Sequence, residues 1–372
     1  MNDYSIRYNE LNEVFKLGED TRLTVTNIDI RFFPFQSNLL FDKDEPVIVD
    51  HSDEEVNENL AFEYPVFIPR GIVRADKAIL LMHGLNERNW SKYLTWAEYL
   101  CEKTGKPVIL FPIAFHVNRS PQTWSNPRIM QNILNFRKNQ LGNDRSISFA
   151  NVALSQRIYN NPLLFYSSGR QTLFDLTQLL GEIKLGKHPI FKEDTHIDIF
   201  AYSIGAFLSQ ITLMTNLKNL FSDSKLFMFC GGSIFSSMFG VSRSIMDRLA
   251  FNKLHEYYLS DFEKKQGLTR DNAFEAFYSM ISPERSLIQR ESFFKSMGDR
   301  LQGISLKQDI VIPYKGVRES LGAECTTERI LLLDFSFQYS HENPFPIGTH
   351  ANQTAVNDEF KNVFSQAAGF LT

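Results

Sequence analysis

The sequence predicts an α/β fold built on a mostly parallel central sheet with helices on both faces. Short apolar runs ending in glycine, such as KAILLMHG (77–84) and KLFMFCGG (225–232), read as strands buried on both sides. Between them lie segments of helical period closed by Gly or Pro, as in WSKYLTWAEYLCEKTGKP (90–107). Strand and helix alternate in this way from about residue 76 to 235, which argues for crossover connections within one sheet.

Taken in order, residues 1–75 read as an N-terminal β-rich extension. TRLTVTNIDIRFF (21–33) reads as a strand, and AFEYPVFIPRG (61–71) as a strand pair leading into the core. Seven acids between Asp42 and Glu55, opposed only by Lys43, read as a solvated loop. The core occupies 76–235 and resumes at 301–372. Its first helix places Tyr93, Trp96, Ala97, Leu100 and Cys101 on one face, with Gly105 as the stop. PVILFPIAF (107–115) is the next strand. The long stretch 118–166 carries helical pieces around IMQNILNF and in ANVALSQRIY.

Ser167 or Ser168 is expected to cap a helix that turns Leu173, Leu176, Leu180 and Ile183 inward. The strand HIDIF (196–200) and a helix from Ile204 to about Leu217 follow. Residues 236–300 break the alternation and read as an all-helical cap insertion. Ile245, Leu249, Leu254, Tyr258 and Phe262 mark one helix, and Phe274, Phe277, Tyr278 and Ile281 mark another. Ser282-Pro283-Glu284 is expected to open a third. GISLK (303–307), RILLLDF (329–335) and a helix with Val356, Phe360, Val363 and Ala367 inward complete the core.

Composition narrows the function. The 372 residues carry 22% charged side chains and a net charge of −4, with no basic footprint for nucleic acid or an anionic membrane. No apolar run reaches the ~18–20 residues that span a bilayer, and the acidic N-terminus lacks a signal-peptide pattern. A cytoplasmic protein acting on a small-molecule substrate is the expectation. Cys101, Cys230 and Cys325 are too few and scattered for a disulfide framework or a zinc site. The eight histidines show no metalloprotease spacing, so neither a metal nor another cofactor is expected. GEIKLGK (181–187) has phosphate-loop spacing, but His188 replaces the Ser/Thr and the segment closes a helix instead of opening one. The 33 phenylalanines imply large aromatic cores, or a greasy pocket.

The chemistry concentrates in Ala201-Tyr202-Ser203-Ile204-Gly205, between a strand and a helix. A serine hydroxyl needs an exposed position, a base and oxyanion donors before it can act as a nucleophile. A sharp strand-to-helix turn supplies the exposure and one donor, and it demands small residues two before and two after the serine. The segment resembles the nucleophile elbow of the α/β-hydrolase superfamily, with alanine in place of the first glycine. That resemblance covers roughly residues 76–372. It implies the α/β-hydrolase fold, Ser203 as nucleophile, and an oxyanion hole from the N–H groups of Ile204 and of Leu85 (or Asn86) in the loop HGLNE, where His83 is structural. It further implies Asp309 in LKQDIVIP as the acid and His341 in QYSHENPFP as the base. Asp334 and Glu324 compete for the acid, and His350 competes for the base. Asn86, His116 and Tyr202 are candidate substrate contacts, and Arg119 leaves the same sheet edge.

The activity implied is hydrolysis of an ester, thioester or amide through an acyl-enzyme, with a bias to carboxylic esters of apolar acyl groups. Two alternatives share these residues: a hydrolase-fold protein that binds without catalysing, and a peptidase.

Overall fold

The computed structural model describes residues 3–38, 56–142, 144–348 and 351–372. The acidic run from Asp42 to Glu55 and the competitor His350 lie outside the described residues. The strands are β1 (Thr21–Leu23), β2 (Ile28–Gln36), β3 (Ala61–Pro69), β4 (Ala75–Met82), β5 (Val108–Leu110), β6 (Phe191–Tyr202), β7 (Leu226–Phe229), β8 (Leu301–Leu306) and β9 (Ile330–Leu333). They form one nine-stranded sheet in the order β1-β2-β3-β5-β4-β6-β7-β8-β9. From β5 to β9 every neighbouring pair is parallel, whereas β3 runs antiparallel to both β2 and β5.

Burial on both faces explains the unbroken apolar strands. In β4, Ala78, Leu80 and Met82 enter one core while Ile79 and Leu81 enter the other. The helices, in chain order, begin with α1 (Tyr4–Val14), α2 (Ser91–Thr104), α3 (Pro127–Leu141), α4 (Val152–Asn160), α5 (Leu163–Lys184) and α6 (Ile204–Thr215). They continue with α7 (Arg248–Glu256), α8 (Asn272–Ser279), α9 (Leu287–Met297), α10 (Tyr314–Leu321), α11 (Ala323–Arg329) and α12 (Gln353–Leu371). Helices α1, α2 and α12 cover one face; α5 and α6 cover the other. Much of the phenylalanine excess goes into these cores, as in the stacked Phe360–Phe364 pair with centroids 4.5 Å apart.

Several local expectations are corrected. Residues 21–36 form a hairpin, because the chain turns at Asn27, whose φ is 55°. Residues 61–69 are a single strand. The segment 1–75 also holds helix α1, which Arg7 ties to α2 through Glu98 Oε2 at 2.8 Å, and its strands extend the core sheet. Helix α5 starts at Leu163, not at Ser167 or Ser168. Asn161 Oδ1 takes the Leu163 N–H, and the Ser168 hydroxyl donates to the Ala114 carbonyl instead. Ser282-Pro283-Glu284 lies in a turn ahead of α9. The buried Arg290 guanidinium gathers the carbonyls of Ser279, Pro283 and Arg285, and so bends that segment away from helix.

The stretch 118–166 and part of 236–300 join above the carboxyl edge of the sheet. Arg137 on α3 and Asp247, which caps α7, form a fully buried ion pair, with Arg137 Nη2 2.7 Å from Asp247 Oδ1. Breaking such a pair from one side costs about 3–5 kcal/mol. Asn151 adds a second tie, donating to the carbonyl of Ser242 at 2.7 Å. Helix α9 lies apart from this roof and packs on α10.

Candidate active site

Strand β6 ends at Tyr202 and α6 begins at Ile204, so Ser203 alone turns the chain. Its backbone stands at φ 56° and ψ −124°, a conformation that costs of order 1–3 kcal/mol and persists only where the surroundings enforce it. The turn leaves no room for a side chain two residues on. A Cβ at Gly205 would lie 2.6 Å from the His83 carbonyl oxygen. The resulting position is the carboxyl end of a central parallel strand, where open α/β sheets bind ligands.

Three of the expected side chains meet there. Ser203 Oγ is 2.7 Å from His341 Nε2, and His341 Nδ1 is 2.8 Å from Asp309 Oδ2. Asp309 follows β8 in a turn where its Oδ1 accepts the N–H groups of Val311 and Ile312, both at 2.9 Å. Those bonds fix the carboxylate with Oδ2 towards the imidazole. A carboxylate only accepts, so the network assigns the histidine proton to Nδ1 and leaves Nε2 to accept from the serine hydroxyl. Such a chain can draw the proton from the hydroxyl as the oxygen attacks and return it to a leaving group. Ser203, Asp309 and His341 retain only 5%, 3% and 4% exposure, so a ligand must reach them through a cavity.

The competitors are elsewhere. Asp334 is at the surface, bonded to Gln308 Nε2 at 3.0 Å and to the Tyr339 hydroxyl at 3.1 Å. Glu324 pairs with Lys295 at 2.9 Å on exposed α11.

The loop after β4 is braced from both sides. Gly84 N–H donates to the Tyr93 hydroxyl at 2.9 Å, which in turn donates to Glu87 Oε1 at 2.6 Å. Lys92 Nζ reaches the same oxygen at 2.8 Å. The Gly84 N–H is thereby used, whereas the N–H groups of Leu85 and Ile204 find no acceptor among the described residues. Ile204 opens α6, so its N–H has no intrahelical partner. His83 is a structural residue. Its Nδ1 faces the Gly84 carbonyl at 2.8 Å, its Nε2 accepts Ile113 N–H at 2.9 Å, and burial holds its pKa well below the usual value.

Two of the candidate substrate contacts border the Ser203 cavity but have their side-chain donors engaged within the protein. Asn86, at φ 60°, donates its side-chain amide to the carbonyls of Ala150 at 2.7 Å and Ser244 at 2.6 Å, so it clamps the loop to the roof. The Tyr202 hydroxyl donates to the His341 carbonyl, and its ring stacks on the imidazole with centroids 5.4 Å apart. Both side chains position other groups and have no donor left for a ligand. Arg119 is likewise buried, paired with Asp175 at 2.7 Å.

Two cavities share the wall Leu85-Asn86-Glu87-Arg88. One, of about 250 Å³, contains Ser203 and His341 and is bordered by Arg88, Lys92 and Glu342. The other, of about 100 Å³, is only partly open and mostly apolar; Ile204, Phe165, Phe207, Leu208 and Phe277 line it together with His116, Arg157 and Arg170. Its roof comes largely from 118–166, through Trp124, Ala153, Leu154 and Ile158. Sequence reasoning missed this contribution, and it missed the bracing roles of Tyr93, Glu87 and Lys92. The one available signal was a long stretch inserted after a strand, at the edge where ligands bind. Tyr93 was legible only as a core aromatic, since its hydroxyl partner is set by tertiary contact.

The order and direction of the strands and the turn at Ser203 give the chain the α/β-hydrolase fold. A comparison with curated proteins finds no match. Among solved structures, a cold-adapted esterase from an Arctic intertidal metagenomic library is similar at 8% identity and a TM-score of 0.43, covering 96% of this chain and 100% of that one. EstE1, a thermophilic carboxylesterase from a metagenomic library, is similar at 11% identity and a TM-score of 0.46, with 99% and 93% covered. A puromycin-hydrolysing peptidase of Mycobacterium tuberculosis is similar at 13% identity and a TM-score of 0.43, with 84% and 38% covered. At such distances none of them assigns a substrate. Over its entire length, residues 1–372, the chain matches the model of a family of unknown function, DUF6051, and it belongs to that family.

Proposed function

We propose that this protein is a serine hydrolase that cleaves an ester, thioester or amide through an acyl-enzyme. In this reading Ser203 is the nucleophile, and His341 takes its proton and later returns it to the leaving group. Asp309 holds the imidazole tautomer and stabilises its protonated form. The N–H groups of Leu85 and Ile204 receive the developing oxyanion. The observation that carries the reading is the Ser203–His341–Asp309 hydrogen-bonded chain, at 2.7 and 2.8 Å, on a strained strand-to-helix turn. The mostly apolar cavity beside Ile204 and Leu85 supports an apolar acyl group, and the helices over it act as a lid that excludes water. A carboxylic ester is the favoured substrate.

A peptide substrate is the second reading. The charged rim of Arg88, Lys92 and Glu342 around the Ser203 cavity favours it. Turnover of 4-nitrophenyl esters against aminoacyl 4-nitroanilides separates the two. In either case Ser203→Ala is expected to lose at least ~10³-fold in kcat while keeping its fold, because alanine fits the turn. Hydrolysis at a near-parental rate by this variant would remove Ser203 from the mechanism.

A further inference from the structure

His116 sits on the most strained segment of the loops that border the cavities. Phe115 before it has φ 65° and Val117 after it has φ 50°. A β-branched residue with positive φ is a rare outlier, and strain of this kind clusters where a side chain must be presented in one place. Neighbouring loops enforce it: Val117 N–H donates to the Glu87 carbonyl at 2.9 Å, and Phe115 N–H donates to Asn59 Oδ1 at 3.1 Å. The first of these bonds couples the His116 loop directly to the segment that carries Leu85.

His116 is 7% exposed and is among the residues that line the mostly apolar cavity. Its Nδ1 lies 2.9 Å from the Ala114 carbonyl, which assigns the proton to that nitrogen. Nε2 is therefore an acceptor, and among the described residues it has no partner. Burial drives the pKa down to about 4, so the ring stays neutral near pH 7. A buried acceptor without a donor costs about 1–3 kcal/mol, which a ligand that supplies the donor recovers.

Resting on the serine-hydrolase reading, we propose that His116 Nε2 selects acyl groups that carry a hydrogen-bond donor, a hydroxyl or an N–H, within an otherwise apolar chain. The cavity takes the carbon skeleton, and His116 receives the donor. A plain alkanoyl group of equal length then fills the same space but leaves Nε2 unpaired, and a site built for a donor discriminates against such an analogue.

The test compares kcat/KM for the 4-nitrophenyl esters of butanoic acid, 3-hydroxybutanoic acid and N-formylglycine. One hydroxyl-bearing or N–H-bearing ester is expected to exceed butanoate by about tenfold, and which of the two leads identifies the donor. In His116→Phe the ratio falls to about one; in His116→Gln, whose amide oxygen accepts, a preference persists. The ratio is read within one variant and is independent of the amount of active protein. Parity of all three esters in the parent, or a preference that survives His116→Phe, overturns the proposal. A second arm needs no turnover. Calorimetry on Ser203→Ala with the free acids is expected to give tighter binding of the donor-bearing acid than of butanoate, and equal binding means that the substrate does not pair with His116. Should esters go unhydrolysed, the hydrolase reading fails while this binding arm still decides the role of His116.

Discussion

Ser203 is held by a strained turn, His341 by the hydroxyl of Tyr202 and the carboxylate of Asp309, and Asp309 by two backbone N–H groups. Each side chain in the chain has its orientation set by the next. Replacing Asp309 by asparagine offers the imidazole an amide N–H, which favours the tautomer with the proton on Nε2. On the proposed mechanism kcat falls by ~10³–10⁴ with the fold intact and KM little changed. Steady-state kinetics with one chromogenic ester checks this, and a loss of less than tenfold contradicts Asp309 as the orienting acid. Buried neutral histidines also tie stability to pH. Burial lowers His116 and His188 to about 4, and His83 well below its usual 6.5. The unfolded chain then binds protons that the native state refuses, so stability is full above about pH 6.5 and declines as pH falls towards 4. Tm measured from pH 7.5 to 4.5 is expected to drop by several degrees, and more shallowly in His188→Gln.

Among the elements, the roof is where function and packing separate. Phe277 on α8 lines the apolar cavity. Tyr258, four residues before Phe262, is buried in an aromatic cluster; its hydroxyl donates to the Pro162 carbonyl and accepts the Tyr166 N–H, both at 3.0 Å. Phe277→Ala is therefore expected to move the preferred acyl length upwards, whereas Tyr258→Phe leaves two buried backbone groups unpaired, costs about 2–3 kcal/mol of stability and leaves the preference alone. A chain-length series of esters reads both; an unchanged optimum in folded Phe277→Ala contradicts the role of α8 as lid. The helical stripes within 248–279 were legible because apolar spacing survives any tertiary setting, although Ile245 and Ile281, read as helical, lie just outside the helices. What spacing does not carry is which stripe meets the cavity. The starts of α5 and α9 were misjudged for a related reason: Ser168 and Arg290 bond to distant carbonyls that no local pattern reveals.

At the scale of the whole molecule, the sheet was readable because central strands buried on both faces are continuous apolar runs, and the crossover helices between them are amphipathic. The turn at Ser203 was readable because steric crowding limits the residues around it. Asp309 and His341 were found by chain order, and they meet Ser203 in space although 138 residues separate the serine from the histidine. The roles of Asn86 and Tyr202 were not readable, since both face partners far along the chain. The same applies to the Arg137–Asp247 pair that joins the two halves of the roof. The central claim is that these distant segments assemble an activated serine, and reaction with a fluorophosphonate followed by mass-spectrometric mapping tests it most directly. One adduct on Ser203, lost in Ser203→Ala and strongly slowed in His341→Ala, is the expected result. A folded parent protein that takes up no label, or carries it on another residue, contradicts the claim.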